Sequence, residues 1–150
     1  MSIQKRPTNR WKEQMGLGDR GGGMNSGIFI VTNQRGKAYI EKRMREEDIN
    51  NGHAEREILA LRQVSSHPYI TTMVDHFIDY RRFEASIYLA RCTGSSMEEL
   101  IQRHVRNNYQ RIAERYIWQW FIQITEALCY WQVSPVQGGL PCKVSWTCIA

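Results

Sequence analysis

The most constraining feature of this chain is a lysine and a glutamate, Lys42 and Glu57, each placed in an otherwise apolar stripe. They lie in the stretch from Gly36 to Pro68, which reads GKAYIEKRM, a charged linker, and then AEREILALRQVSSHP. With the period of two that a strand imposes, Ala38, Ile40, Lys42 and Met44 share one face, and Tyr39, Glu41 and Arg43 the other. With the helical period, Ala54, Glu57, Ile58, Leu61 and Val64 fall on one face. Either charge alone is costly to take out of water. One from a strand and one from the following helix can neutralise each other across facing inner surfaces.

The chain has 150 residues, 42% hydrophobic and 23% charged, which suits one globular domain with its own core. The net charge of +5 comes from scattered lysines and arginines and selects no partner class. Arg103, Arg106, Arg111 and Arg115 are spread around their helices rather than gathered into a stripe, so no nucleic-acid partner is expected. No apolar run approaches the ~18 residues of a membrane span, so no membrane partner is expected either. The start, MSIQKRPTNRWK, lacks the apolar segment of a secretory signal. Cys92, Cys129, Cys142 and Cys148 show no C-x-x-C spacing, which points to free thiols and a cytoplasmic or nuclear protein.

Residues 1–15 are polar, carry Pro7 and read as a flexible leader. Next comes GLGDRGGGMNSGIFIV, glycine-dense and ending in a β run from Ile28 to Val31. Gly16, Gly18 and Gly21 satisfy G-x-G-x-x-G, but they lead into a strand and a turn at 33–36, not into the helix of a dinucleotide-binding unit. A strand, glycine loop and strand fit better. Counting back from Lys42 favours a second register, Gly21-x-Gly23-x-x-Ser26-x-Ile28, in which Ser26 stands at the third glycine position. The bland reading is a glycine loop without a ligand.

Ser65-Ser66-His67-Pro68 stops the helix that carries Glu57, because the residue before proline is pushed out of the helical region. Residues 69–79 and 84–90 then read as two strands joined by the turn Tyr80-Arg81-Arg82-Phe83. Ser96-Met97-Glu98-Glu99 is a capping box that opens a helix to about Asn107. A second helix is expected from Ile112 to about Trp131, with Ile117, Trp120, Phe121, Ile124, Leu128 and Trp131 at helical spacing.

Over roughly residues 14–131 the sequence resembles the eukaryotic protein kinases, in tone the serine/threonine type. The resemblance is carried jointly by the glycine loop, GKAYIEKR with its lysine, and EREILALRQVSSHPYI with its glutamate. SIYLARCTGSSMEELI is similar to the kinase hinge and the helix after it, and ERYIWQWFIQITEALCYW to the long helix that opens the large lobe. The implied fold is α+β: a kinase-like small lobe (an antiparallel sheet with one helix) over 16–90, a hinge at 91–95, and two helices of an incomplete large lobe over 96–131. An irregular tail fills 132–150.

The implied ligand is ATP, with magnesium. Lys42 is expected to hold its α- and β-phosphates, Glu57 to orient Lys42, and the loop with Gly21, Gly23, Ser26 and Ile28 to close over the phosphates. Leu89 falls at the gatekeeper position, and the backbone of Ala90 and Cys92 would meet the adenine edge. Ile40 replaces the usual alanine two places before the lysine and narrows the adenine roof; Ala90 replaces an acidic hinge residue. The departure that decides the expectation comes after the long helix. A kinase carries H-R-D-x-x-x-x-N and D-F-G there, whereas this chain runs QVSPVQGGLPCKVSWTCIA, with no Asp after Asp79, no Asn after Asn108 and no carboxylate after Glu126.

No catalytic aspartate and no metal ligand can therefore be assigned, and the sequence reads as a kinase domain truncated before its catalytic loop. Phosphoryl transfer from ATP to protein serine or threonine is implied by the family but is expected to be lost from this chain alone. The alternative is a non-catalytic, pseudokinase-like binding or scaffold module. It would engage another protein through the exposed helix 112–131, and the same apolar helix makes self-association an expectation.

Overall fold

The computed structural model describes residues 10–18, 27–94, 96–106 and 112–133. In chain order the elements are β1 (Lys12–Gly18), β2 (Gly27–Thr32), β3 (Ala38–Arg43), α1 (Glu46–Asn50), α2 (His53–Val64), β4 (Met73–Asp79), β5 (Glu84–Ala90), α3 (Met97–Arg106) and α4 (Glu114–Val133). The fold is α+β, with all five strands in one antiparallel sheet ordered β1-β2-β3-β5-β4.

Short-range chemistry sets the turns. Between β2 and β3 the Asn33 side-chain oxygen accepts the backbone N–H groups of Arg35 and Lys37, each at 3.0 Å. An Asx-type turn of this kind lets the two strands pair without slippage from Gly27↔Arg43 to Thr32↔Ala38. Between β4 and β5 Asp79 plays the same part, accepting from Arg81 and Arg82. At the start of α3 the capping box is reciprocal: Glu99 N–H donates to Ser96 Oγ at 3.1 Å, and Ser96 N–H to Glu99 Oε2 at 3.2 Å.

One face of the sheet packs against α2. Met44, Ile49, Ala54, Ile58, Leu61, Ala85 and Ile87 form the main buried cluster, with Met73, Ile78 and Leu89 at its margin. Met44 of the strand stripe and Ala54, Ile58 and Leu61 of the helix stripe thus meet here, while Val64 packs in a second cluster. The opposite face is covered in part by Trp11, which stacks on Tyr88 at 4.6 Å and meets Tyr39 edge-on at 5.0 Å. A smaller cluster joins α4 to the end of α2 through Val64, Ile70, Ala127 and Trp131. Tyr130 reinforces that joint by hydrogen-bonding Ser66 and lying against the His67 ring.

Several expectations need correction. The leader does not reach residue 15, because β1 begins at Lys12 and pairs with β2. The sheet is accompanied by two helices before β4, not one. The charged linker folds as α1, which buries Asp48 and Ile49 and is parted from α2 by Gly52, whose φ of +68° suits glycine. β4 starts at Met73 rather than residue 69, since Ile70 turns inward toward α4 and the Thr72 carbonyl accepts the Ala90 N–H. The last helix, expected from Ile112 to about Trp131, runs Glu114–Val133. Cys129 is a free, exposed thiol, but Cys92 is disulfide-bonded; spacing along the chain does not reveal such a pairing. The leader up to residue 9 and the tail from residue 134 lie outside the described residues. No helix among the described residues is long and apolar enough to cross a membrane.

Ile87 is fully enclosed between β3, β4 and α2, so truncating it removes packing that cannot relax. Ile87→Ala is expected to lower unfolding free energy by about 2–5 kcal/mol in urea denaturation. Leu59→Ala, on the solvent side of α2, is expected to stay within about 0.5 kcal/mol of the parent.

Candidate phosphate-binding site on strand three

β3 lies in the middle of the sheet, so Lys42 has a strand on either side: Ile28 of β2 and Ile87 of β5 stand directly opposite it. Its long stem is enclosed by this apolar row, and the ammonium reaches toward α2. There Nζ donates to Glu57 Oε1 at 2.6 Å, with the two side chains 11% and 18% exposed. Such a pair costs desolvation on both sides, which the close charge-assisted bond offsets; either charge left alone would be unfavourable. An ammonium has three donors, and Glu57 uses one. Lys42 is therefore held in place by one bond and keeps capacity for an anion at the rim of the sheet.

The other expected site residues separate into three groups. Ile28, Ile40 and Leu89 share the Lys42 side of the sheet, since Ile40 stands opposite both Ile30 and Leu89 and Ile28 opposite Lys42. They form an apolar shelf beside the ammonium. Ala90 ends β5; its N–H is used by Thr72, and its carbonyl accepts from Thr71 Oγ1 at 3.2 Å. That carbonyl retains one lone pair for a further donor. Cys92 follows just beyond the strand and is half-buried. Gly21, Gly23 and Ser26 lie outside the described residues. Gly16 and Gly18, the other register of the glycine motif, are part of β1 and paired with Phe29 and Ile28.

Gly27 marks where the chain re-enters the sheet. Its φ is +138°, and a Cβ there would come within 2.9 Å of the Phe29 ring. That ring is pinned from the far side by the Arg43 guanidinium, 3.7 Å from its centroid. Only glycine meets both constraints at the start of β2.

Pattern reading missed a second polar cluster on the reverse face. Glu41 is 2% exposed and accepts hydrogen bonds from Ser86 Oγ at 2.9 Å, Tyr88 Oη at 3.3 Å and Arg43 at 2.9 Å. Burial works against the Arg43 charge, but its bonds to Glu41 and Glu13 outweigh that and hold the guanidinium above its usual pKa. The signal was present in the alternation of Ser86 and Tyr88 along β5 opposite Glu41 and Arg43. Alternation alone does not say that Trp11 will cover that face.

An open cleft of about 450 Å³ lies on this reverse side, lined among others by Arg10, Trp11, Arg35, Tyr39 and Asp75. It is remote from Lys42 because Tyr39 points to the opposite face of β3. The Arg10 and Trp11 side chains both reach Asp75 across it. Asp75 is thus paired within the cleft, which lies on the side of the sheet away from the Lys42–Glu57 pair.

The ion pair is expected to behave as a unit. Lys42→Met leaves Glu57 without its partner and should destabilise the domain by about 1–3 kcal/mol. Glu57→Leu should cost a similar amount, and the double variant less than the sum, with a coupling of at least about 1 kcal/mol in urea denaturation. Strict additivity would mean the two groups do not interact. No protein-family model and no curated protein matches the chain.

Proposed function

We propose that this domain binds ATP through its phosphates in the manner of a protein-kinase small lobe, with Lys42 as the phosphate-gripping cation and Glu57 as its positioning residue. One observation carries the reading: the 2.6 Å contact between a central-strand lysine and a helix glutamate, at the edge of an apolar shelf. The antiparallel sheet and the glycine-dense stretch between β1 and β2 support it. In this reading ATP supplies a dense negative charge and a flat apolar base. Lys42 offers its two remaining donors to the former, and Ile28, Ile40 and Leu89 offer contact to the latter. Glu57 keeps Lys42 extended rather than folded back along the sheet.

The same residues argue for binding rather than transfer within these 150 residues. A kinase needs a carboxylate base and carboxylates for magnesium, and the sequence has none after Glu126. Among the described residues no group of three or more histidine, cysteine, aspartate or glutamate side chains could hold a metal. Glu57 is taken up by Lys42. The residues present fit a triphosphate and do not fit magnesium.

Thermal unfolding with ATP tests the proposal. A hundredfold excess over the dissociation constant is expected to stabilise the domain by ~2.7 kcal/mol. The gain should be the same with and without magnesium and absent in Lys42→Met. No stabilisation by ATP, or stabilisation only when magnesium is present, would contradict it.

A further inference from the structure

We propose that His76 is a proton-operated clasp on α2: with its ring neutral it holds the last turn of that helix to the edge of the sheet through Arg62, and on protonation it lets go. The inference stands independently of nucleotide binding. Strand register supplies its frame. Ile28, Lys42, Ile87 and His76 stand in one row across β2, β3, β5 and β4, on the face over which α2 lies. α2 is tied to that row twice, at Lys42 through Glu57 and at His76 through Arg62, with Ile87 enclosed between the two attachments. The first attachment joins opposite charges. The second does not, for Arg62 Nη2 lies 3.0 Å from His76 Nε2. A guanidinium can only donate, so the imidazole must accept, which it does only while Nε2 carries no proton.

The groups around the ring decide its charge. From α2, Arg62 faces it as a fixed cation. On β4 itself, Asp75 Oδ1 accepts the His76 backbone N–H at 2.9 Å, while the other Asp75 oxygen is engaged by Trp11 and Arg10. β5 places apolar Ile87 opposite His76, and beyond it Lys42 and Glu57 are occupied with each other. Farther along α2, Glu55 takes the Tyr80 hydroxyl. Burial and the Arg62 charge push the His76 pKa below its ordinary value, against a smaller upward pull from Asp75. The folded state therefore binds this proton less readily than the unfolded chain does. The stability contributed by the clasp is complete above the ordinary histidine pKa and is lost as pH falls through the lowered one. A protonated ring faces Arg62 as a second cation, with Asp75 and Glu55 already engaged. β4 is an edge strand, so a proton reaches the ring without crossing the core. Val64 still packs against Ala127 of α4, so acidification loosens the last turn of α2 and does not unfold it.

Imidazole nitrogen–proton spectra of the full chain, recorded from about pH 8 to about pH 5, test the proposal, with His76 assigned by its loss in His76→Gln. The expected result is a ring protonated on Nδ1 alone at the upper end, a titration midpoint below that of an exposed histidine, and a midpoint that moves up in Arg62→Leu. Urea unfolding gives a second reading. His76→Gln keeps an amide oxygen for Arg62 at any pH, so the folding constant of the parent should fall at least about threefold relative to that variant across the same range. Amide-exchange protection at residues 61–65 should drop with the His76 midpoint in the parent and hold in His76→Gln. Should that variant misfold, Arg62→Leu, at an exposed position, is expected to weaken the same pH dependence. A His76 midpoint at or above the exposed value, or one indifferent to Arg62→Leu, overturns the proposal. An acid dependence of stability that both variants leave unchanged overturns it too, as does protection at residues 61–65 that ignores the titration of His76.

Discussion

The structure depends on an ion pair that ties the middle of a sheet to the helix lying over it. Lys42 stands on β3 with Ile28 on one side and Ile87 on the other, so its charge cannot escape sideways. Its way out of the apolar layer leads to Glu57, and the two meet at 2.6 Å. Apolar packing alone would let α2 slide along its own axis over Met44, Ala85 and Ile87, since dispersion contacts are tolerant of small shifts. A charge-assisted bond with one partner on each element is not tolerant. It fixes where along β3 the helix lies, and that in turn fixes where the ammonium is presented.

β3 is unusual in burying charge on both of its faces. Lys42 goes to α2, while Glu41, its neighbour in sequence, goes to the reverse side among Ser86, Tyr88 and Arg43. The two charges are of opposite sign and are separately satisfied, so neither depends on the other. On that side Trp11 stacks on Tyr88, whose hydroxyl donates to Glu41. The sheet is therefore held from both sides by polar bonds set within apolar contacts. Its middle strand is specified residue by residue rather than by hydrophobicity alone.

The parts legible in the sequence are those where a single period decides the outcome. Ala54, Ile58, Leu61 and Val64 announced the buried side of α2, and all four are buried. Glu57 could be placed beside them because it occupied the same arc. The capping box at Ser96 and the stop at His67-Pro68 were equally local, and both formed. What escaped depended on distant contacts. The run Glu46–Asn50 looks like a linker because its charges outnumber its apolar groups, yet it buries Asp48 and Ile49, the latter in the cluster with Met44 and Leu61. The period of two put Glu41 on the face opposite Lys42 and said nothing of its burial. Nothing local to Glu41 shows that Trp11, thirty residues earlier in the chain, returns to stack on its neighbour Tyr88. For the candidate site, the periods of strand and helix placed Lys42 and Glu57 on facing stripes, whereas Ile28, Ile40 and Leu89 entered as site residues only through the resemblance; their place on the Lys42 side of the sheet is set by the register of β2, β3 and β5.

The central claim is that the Lys42 ammonium is held by Glu57 and presented to phosphate oxygens. Proton–nitrogen correlation spectra of the lysine side chains observe this directly, because an ammonium in a persistent hydrogen bond exchanges its protons slowly enough to be seen. The account predicts one such resonance, assigned to Lys42 by its disappearance in Lys42→Met, lost also in Glu57→Leu, and shifting as ATP is added. A Lys42 signal broadened by solvent exchange, or one indifferent to both Glu57 and ATP, would contradict it.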